Sequence, residues 1–363
     1  MSPAPGAPVR GRLDRLTSLR AFAALYVFLF HLNDRVFFGR PWPLNLGYSG
    51  VIFFFVLSGF VLTWSYSPGR RPGDFYVRRA ARIYPLHAVM TAIAYILPYN
   101  YAAKTIAGVV LSTTLVQAWS SNDIYAFSGN SVSWSLSCEV LFYLAFPLLI
   151  LVMVRLSESW RWVAALSCFV VTGIVTIAIT RGVDQNVAYH LPFLRFSEFL
   201  LGIAGALALR DRQLRRMNGW IVAAVVSLGL VMSNHLQHPE TTVVLSLPCL
   251  AVIMFVAHSE VLDRRPLRVD VLQALQWRPL VYCGEVSFAF YLVHQLLIDN
   301  LTPALHLRGW SGGMALFLAS SVAAAVLHHA VEKPAFRWLL SNRGRRPSKE
   351  SVGAGLAVSA SAQ

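Results

Sequence analysis

The feature that most limits this chain is a series of long apolar runs near residues 16–37, 48–67, 83–99, 134–154, 161–180, 190–209, 218–234, 241–258, 279–299 and 311–330. Short arginine-rich stretches separate them. At 1.5 Å rise per residue, roughly 20 residues cross a bilayer core, which is about the length of most of these runs. Only 13% of the residues are charged and 56% are apolar, whereas a typical soluble domain is about 25% charged. A disordered chain, a secreted disulfide scaffold and an ordinary cytosolic enzyme are thereby excluded. The expected fold is all-α: a polytopic membrane bundle of about ten transmembrane helices.

Charge sets the expected orientation. Lys and Arg number 31 against 17 Asp and Glu, a net charge of +14. In a soluble protein that excess would suggest nucleic acid. Here the arginines sit between apolar runs, which points to topology and lipid headgroups, with no nucleic-acid partner. With ten spans and both termini in the cytoplasm, the outer loops hold only Arg35, Arg40, Lys104, Arg181 and Arg308. A crossing at residues 104–119, a shorter stretch rich in Ser and Thr, would reverse that asymmetry, so this stretch is expected to be re-entrant or interfacial. The first apolar run is too long for a signal-peptide core and is read as retained. The expected domains are a cytoplasmic segment 1–12, a membrane domain 13–340 and a disordered cytoplasmic tail 341–363. The cysteines Cys138, Cys168, Cys249 and Cys283 form no C-x-x-C pair, and neither a disulfide framework nor a metal site is legible in them.

A charge inside a membrane span is unfavourable by at least a few kcal/mol, so each one is a functional candidate. Arg20 and His31 lie eleven residues apart in the first run, close to three helical turns, and therefore project from one face about 16 Å apart. With Ala24 and Val27 they form a stripe able to line a passage; alternatively, Arg20 snorkels to headgroups and His31 is a satisfied core histidine. Counted from Trp134, Glu139 falls at the depth of His31, as a carboxylate orienting an imidazole base would. Ser135 shares its face and either meets substrate or bonds its own backbone. Arg195 and Glu198, three residues apart, read first as a structural ion pair and second as a polar wall for substrate. His294, near Tyr291, can join the same chamber. His328 and His329 read as interfacial. Arg78, Arg79 and Arg82 either hold a phosphorylated cofactor or serve topology and anionic lipid.

These elements together resemble the membrane acyltransferase 3 family of multi-pass O-acyltransferases. The matching stretches are Arg20 to His31 with ten residues between, Gly50 to Phe60, and Arg79-Ala80-Ala81-Arg82-Ile83-Tyr84-Pro85. They continue with Ser133-Trp134-Ser135-Leu136-Ser137-Cys138-Glu139 and Arg195-Phe196 followed by Glu198-Phe199-Leu200. Gly284-Glu285-Val286-Ser287 with Tyr291-Leu292-Val293-His294, and Glu332-Lys333-Pro334, complete the set. The resemblance runs from about Leu13 to Trp338. One departure is Val140-Leu141, where many members carry polar or acidic residues.

The resemblance implies transfer of an acyl group, acetyl or another short chain, from cytoplasmic acyl-CoA to a hydroxyl on a sugar or glycosylated small molecule, at the plasma membrane and without a metal. It implies that His31 is catalytic and that Arg20, Arg78, Arg79 and Arg82 face the donor. Glu139 would then fix the His31 tautomer, Ser135, Arg195, Glu198 and His294 would meet the acceptor, and a backbone N–H near Ser58-Gly59 is a candidate oxyanion donor. The competing reading is a proton-coupled transporter or flippase that uses the same intramembrane Arg, His and Glu.

Overall fold

A computed structural model describes residues 11–37, 44–69, 71–98, 105–182, 185–211, 217–236, 238–261 and 271–344. Among them there is no strand. The helices are α1 Asp14–Leu32, α2 Ser49–Trp64, α3 Pro72–Ile96, α4 Ile106–Thr113, α5 Asp123–Ala126, α6 Trp134–Met153 and α7 Glu158–Gly182. They continue as α8 Gln185–His190, α9 Phe196–Arg210, α10 Gly219–Ser233, α11 His238–Val261, α12 Arg278–Leu305, α13 Gly309–Leu327 and α14 Lys333–Gly344.

Each of the ten apolar runs falls on a helix, and seven helical stretches among the described residues are long and apolar enough to cross a membrane. The helices Ser49–Trp64 and Gly219–Ser233 are apolar but shorter. Large apolar side chains stand exposed along the outward faces of α7 (Val163, Val170, Ile174) and α13 (Met314, Leu318, Val322). A water-soluble protein does not expose such stripes; lipid covers them. The stretch expected to be re-entrant or interfacial folds as the eight-residue α4 and a 3-10 turn at Gln117–Trp119, too short to cross. Helix α14 runs to Gly344, so the first residues of the expected tail are helical; residues 345–363 and 1–10 lie outside the described residues.

Helix α1 lies centrally, packed against α2, α11 and α12, while α2 packs on α9. Its N-terminus is held by Glu260, which accepts from the backbone N–H of Asp14 at 2.9 Å and Arg15 at 3.1 Å, supplying the acceptors that a helix start lacks. In lipid, helix association depends on close packing rather than on apolar burial, so small residues sit at the crossings. At the α2–α9 crossing, a Cβ on Gly59 would strike the Phe199 carbonyl and one on Gly202 the Val56 carbonyl. Beside it, Phe142 and Phe199 stack with centroids 4.7 Å apart. At the α1–α12 crossing, a Cβ on Gly284 would fall on the backbone carbonyl of Thr17. Gly284→Val is therefore expected to destabilise the fold by about 3 kcal/mol through overpacking. Thermal unfolding in detergent checks it, and an unchanged melting temperature would contradict the crossing.

Candidate active site

Two cavities open along α1. The larger, about 510 Å³, is lined by His31, Val27, Asp34 and Arg35 from the end of α1 and the π-helical turn Asn33–Phe37. Tyr48, Trp134, Tyr189 and Tyr291 supply aromatic walls, and Asp123, Asn186 and Gln295 add polar groups. Trp134 and Tyr189 meet at a ring-centroid distance of 4.7 Å. Asn186 Nδ2 donates to Asp123, and Arg35 Nε lies 3.3 Å from Asp299, whose second oxygen accepts from Gln295 at 2.9 Å. Few placed polar groups in an apolar, concave wall are the general character of a small-molecule site.

The second cavity, about 120 Å³, is basic. Arg20, Arg79 and Arg82 line it with Ser58, Phe54, Glu139 and Tyr143. Tyr143 donates to Glu139 Oε2 at 2.5 Å. Arg82 Nη1 is 2.8 Å from Glu332 Oε1, and the other oxygen of Glu332 pairs with His328 Nδ1 at 2.8 Å. Arg79 also lines a neighbouring pocket of about 140 Å³ with Arg78, Asp74 and Tyr66. Guanidinium groups converging on one cavity suit a phosphorylated ligand. Phe54 lines the basic cavity and Tyr291 the larger one, and their rings stand edge to face with centroids 6.1 Å apart. That ring contact lies where the two linings meet.

The expectations from sequence fare differently. Arg20 and His31 do mark the two ends of one stripe, each in its own cavity. Glu139 is not at the depth of His31; it faces the basic cavity with Arg20. The reason lies in the preceding loop. It dips into the protein, with Asn130 Nδ2 donating to the mid-α12 carbonyl of Leu292 at 2.6 Å and Gln117 Nε2 to Ser133 O at 3.1 Å. Helix α6 therefore begins at the wall of the larger cavity, where Trp134 is buried, rather than at a membrane edge.

Ser135 is buried and donates to its own Val132 carbonyl at 3.0 Å, sharing it with Tyr291 Oη at 2.9 Å. Arg195 and Glu198 form a fully buried ion pair at 3.1 Å and line neither cavity. His294 is buried behind His31 with ring centroids 5.4 Å apart. His328 is buried in a π-helical turn rather than interfacial. Ser58 and Gly59 sit inside α2, so their N–H groups belong to helical hydrogen bonds and are no oxyanion donors.

Sequence reasoning did not single out Tyr143 or Glu332 as site residues. The first stands four residues from Glu139, a spacing that signals contact on a helix; the second shows that spacing only to His328, and its contact with Arg82 on α3 has no local signal. Among the described residues no group of three His, Cys, Asp or Glu is placed to hold a metal ion.

The model of a protein family described as an acyltransferase domain, the acyltransferase 3 family, matches residues 13–329. The chain is 34% identical over 378 residues to a Streptomyces mycarofaciens protein named acyltransferase MdmB, covering 92% of this chain and 93% of that one. It is 26% identical to nodulation protein 10 of Rhizobium leguminosarum bv. viciae, covering 93% and 97%. It is also 24% identical to the peptidoglycan O-acetyltransferase OatA of Listeria monocytogenes, covering 82% of this chain and 51% of that protein. No solved structure matches.

Proposed function

The chain belongs to the acyltransferase 3 family, and on that footing we propose that it transfers a short acyl group, acetyl in the first instance, from cytoplasmic acyl-CoA to a hydroxyl of a sugar or glycosylated molecule at the plasma membrane. One observation carries the reading: a single helix presents an imidazole to a roomy aromatic-walled cavity and, three turns away, a guanidinium to a basic one. A relative named for O-acetylation of peptidoglycan supports a sugar-polymer hydroxyl as acceptor.

In this reading Arg20, Arg79 and Arg82 hold the donor's phosphates, with Arg78 at the approach. The positive-inside rule supports a cytoplasmic position for that end. The thioester arm passes between Phe54 and Tyr291 to reach His31. The acceptor stacks its C–H faces on Trp134, Tyr189 and Tyr48 and directs hydroxyls to Asp34, Asp123 and Asn186. His31 takes the proton from the attacking hydroxyl as its oxygen bonds to the thioester carbonyl carbon. The carbon–sulfur bond then breaks, and the departing thiolate takes the proton from the imidazolium.

The test is thiol release from acetyl-CoA by purified protein, with and without candidate sugars, alongside mass spectrometry of the sugar. The expected result is acceptor-dependent thiol release with an acetyl group gained by the sugar. Movement of an unmodified solute across a vesicle without thiol release would overturn it in favour of a transporter.

A further inference from the structure

His294 makes a pattern of contacts that a core histidine does not need. The ring is fully buried. Its Nδ1 lies 3.2 Å from the Phe290 carbonyl one turn back on α12, and a carbonyl oxygen only accepts, so the proton sits on Nδ1. A neutral ring then carries its lone pair on Nε2. That atom is buried and has no hydrogen-bond partner, which leaves an acceptor desolvated by about 1–3 kcal/mol if it stays so.

The surroundings narrow what can satisfy it. His294 stacks on Phe290 at an interplanar angle of 11° and meets Phe28 edge-on; neither ring has a donor. Tyr291, at 5.8 Å, directs its hydroxyl to Val132 O and Ser135. The remaining ring against it is His31, at 5.4 Å. Because Nδ1 is tied to its own helix, Nε2 lies on the edge of the ring turned away from that turn. The aromatic cage around it keeps water out.

We propose that His294 is the positioning residue for His31: a small turn of the neighbouring His31 ring brings its N–H onto His294 Nε2, which accepts it and so fixes which His31 nitrogen presents a lone pair to the larger cavity. The inference rests on the reading of His31 as base given above, and it fills the place that Glu139 vacates. No bond is made or broken at His294. When His31 takes the hydroxyl proton on its cavity-facing nitrogen, its other N–H stays on His294 and the positive charge is shared along that hydrogen bond, until the thiolate removes the same proton. A second-sphere acceptor that fixes a catalytic tautomer is a general device for imidazole bases.

The experiment uses purified full-length protein and follows thiol release from acetyl-CoA with water as acceptor, which requires no knowledge of the sugar. His294→Phe keeps the stacking on Phe290 and removes the acceptor. Its kcat is expected to fall about 100-fold with the acetyl-CoA KM unchanged, in the range for misplaced acid–base groups. His294→Gln places an amide oxygen near the lost Nε2 and is expected to recover about tenfold of that loss. A merely structural role would leave His294→Phe active and His294→Gln the worse of the two, and that order overturns the proposal.

His31→Ala runs in parallel. If it keeps full activity, the base assignment and this inference both fall; if it is inactive while folded His294→Phe is normal, only this inference falls. Nitrogen shifts of histidine-labelled wild type give an independent readout should a variant not fold or the hydrolysis be too slow. They are expected to find His294 as the Nδ1–H tautomer with a hydrogen-bonded Nε2, and a free Nε2 lone pair overturns the proposal.

Discussion

His31→Ala is expected to lower acyl transfer by about 10³-fold, in the middle of what a positioned general base contributes. The ring lines the larger cavity at the end of α1, where that helix passes into a π-helical turn beside Asp34 and Arg35. Its packing partners are the rings of Phe30 and His294, with centroids 5.2 Å and 5.4 Å away. The His31 ring itself is only partly buried, so the alanine variant should fold and bind acetyl-CoA as before. Steady-state kinetics on protein matched for melting temperature make the comparison. Activity within a few-fold of wild type would remove His31 from the chemistry.

Glu139→Gln has a second large expected effect, of a different kind. Glu139 shares the basic cavity with Arg20, Arg79 and Arg82, and glutamine keeps an oxygen for the Tyr143 hydroxyl while removing the charge. Three guanidinium groups then face each other with less compensation. The expected loss of stability is about 2 kcal/mol, less than for a fully buried pair because Glu139 is only partly buried. On the proposed reading CoA phosphates occupy this cavity and would supply the missing negative charge, so adding CoA should raise the melting temperature more in the variant than in wild type. If Glu139 instead oriented His31, the variant would lose kcat at unchanged stability with an ordinary response to CoA. Thermal unfolding with and without CoA separates the two.

The contrast between these residues explains what the sequence makes legible. Residues on one helix keep their relation whatever the tertiary fold does, so Arg20, Ala24, Val27 and His31 could be placed on one face by counting. The Arg195–Glu198 pair was legible for the same reason. Depth across two helices is not local. Counting from Trp134 gives the depth of Glu139 only if Trp134 stands at a membrane edge, and the descent of residues 105–133 to the Leu292 carbonyl moves the start of α6 inward. The Glu332 bond to Arg82 likewise joins helices far apart in sequence. The arginines read as one donor cluster divide too: Arg20, Arg79 and Arg82 share a cavity, while Arg78 reaches it only through the adjoining pocket that Arg79 also lines.

The Phe54–Tyr291 ring pair has a consequence for the cell as well as for catalysis. A bore wide enough for a pantetheine chain would also conduct protons and small ions, and a membrane pierced by such bores could not hold its electrochemical gradient. If the proposed thioester arm does pass between Phe54 and Tyr291, the two rings would act as a valve seat, displaced while the arm is present and closing the leak path when it withdraws. Trimming either ring to alanine would then be felt first as dissipated proton-motive force in vesicles, ahead of any change in the chemistry.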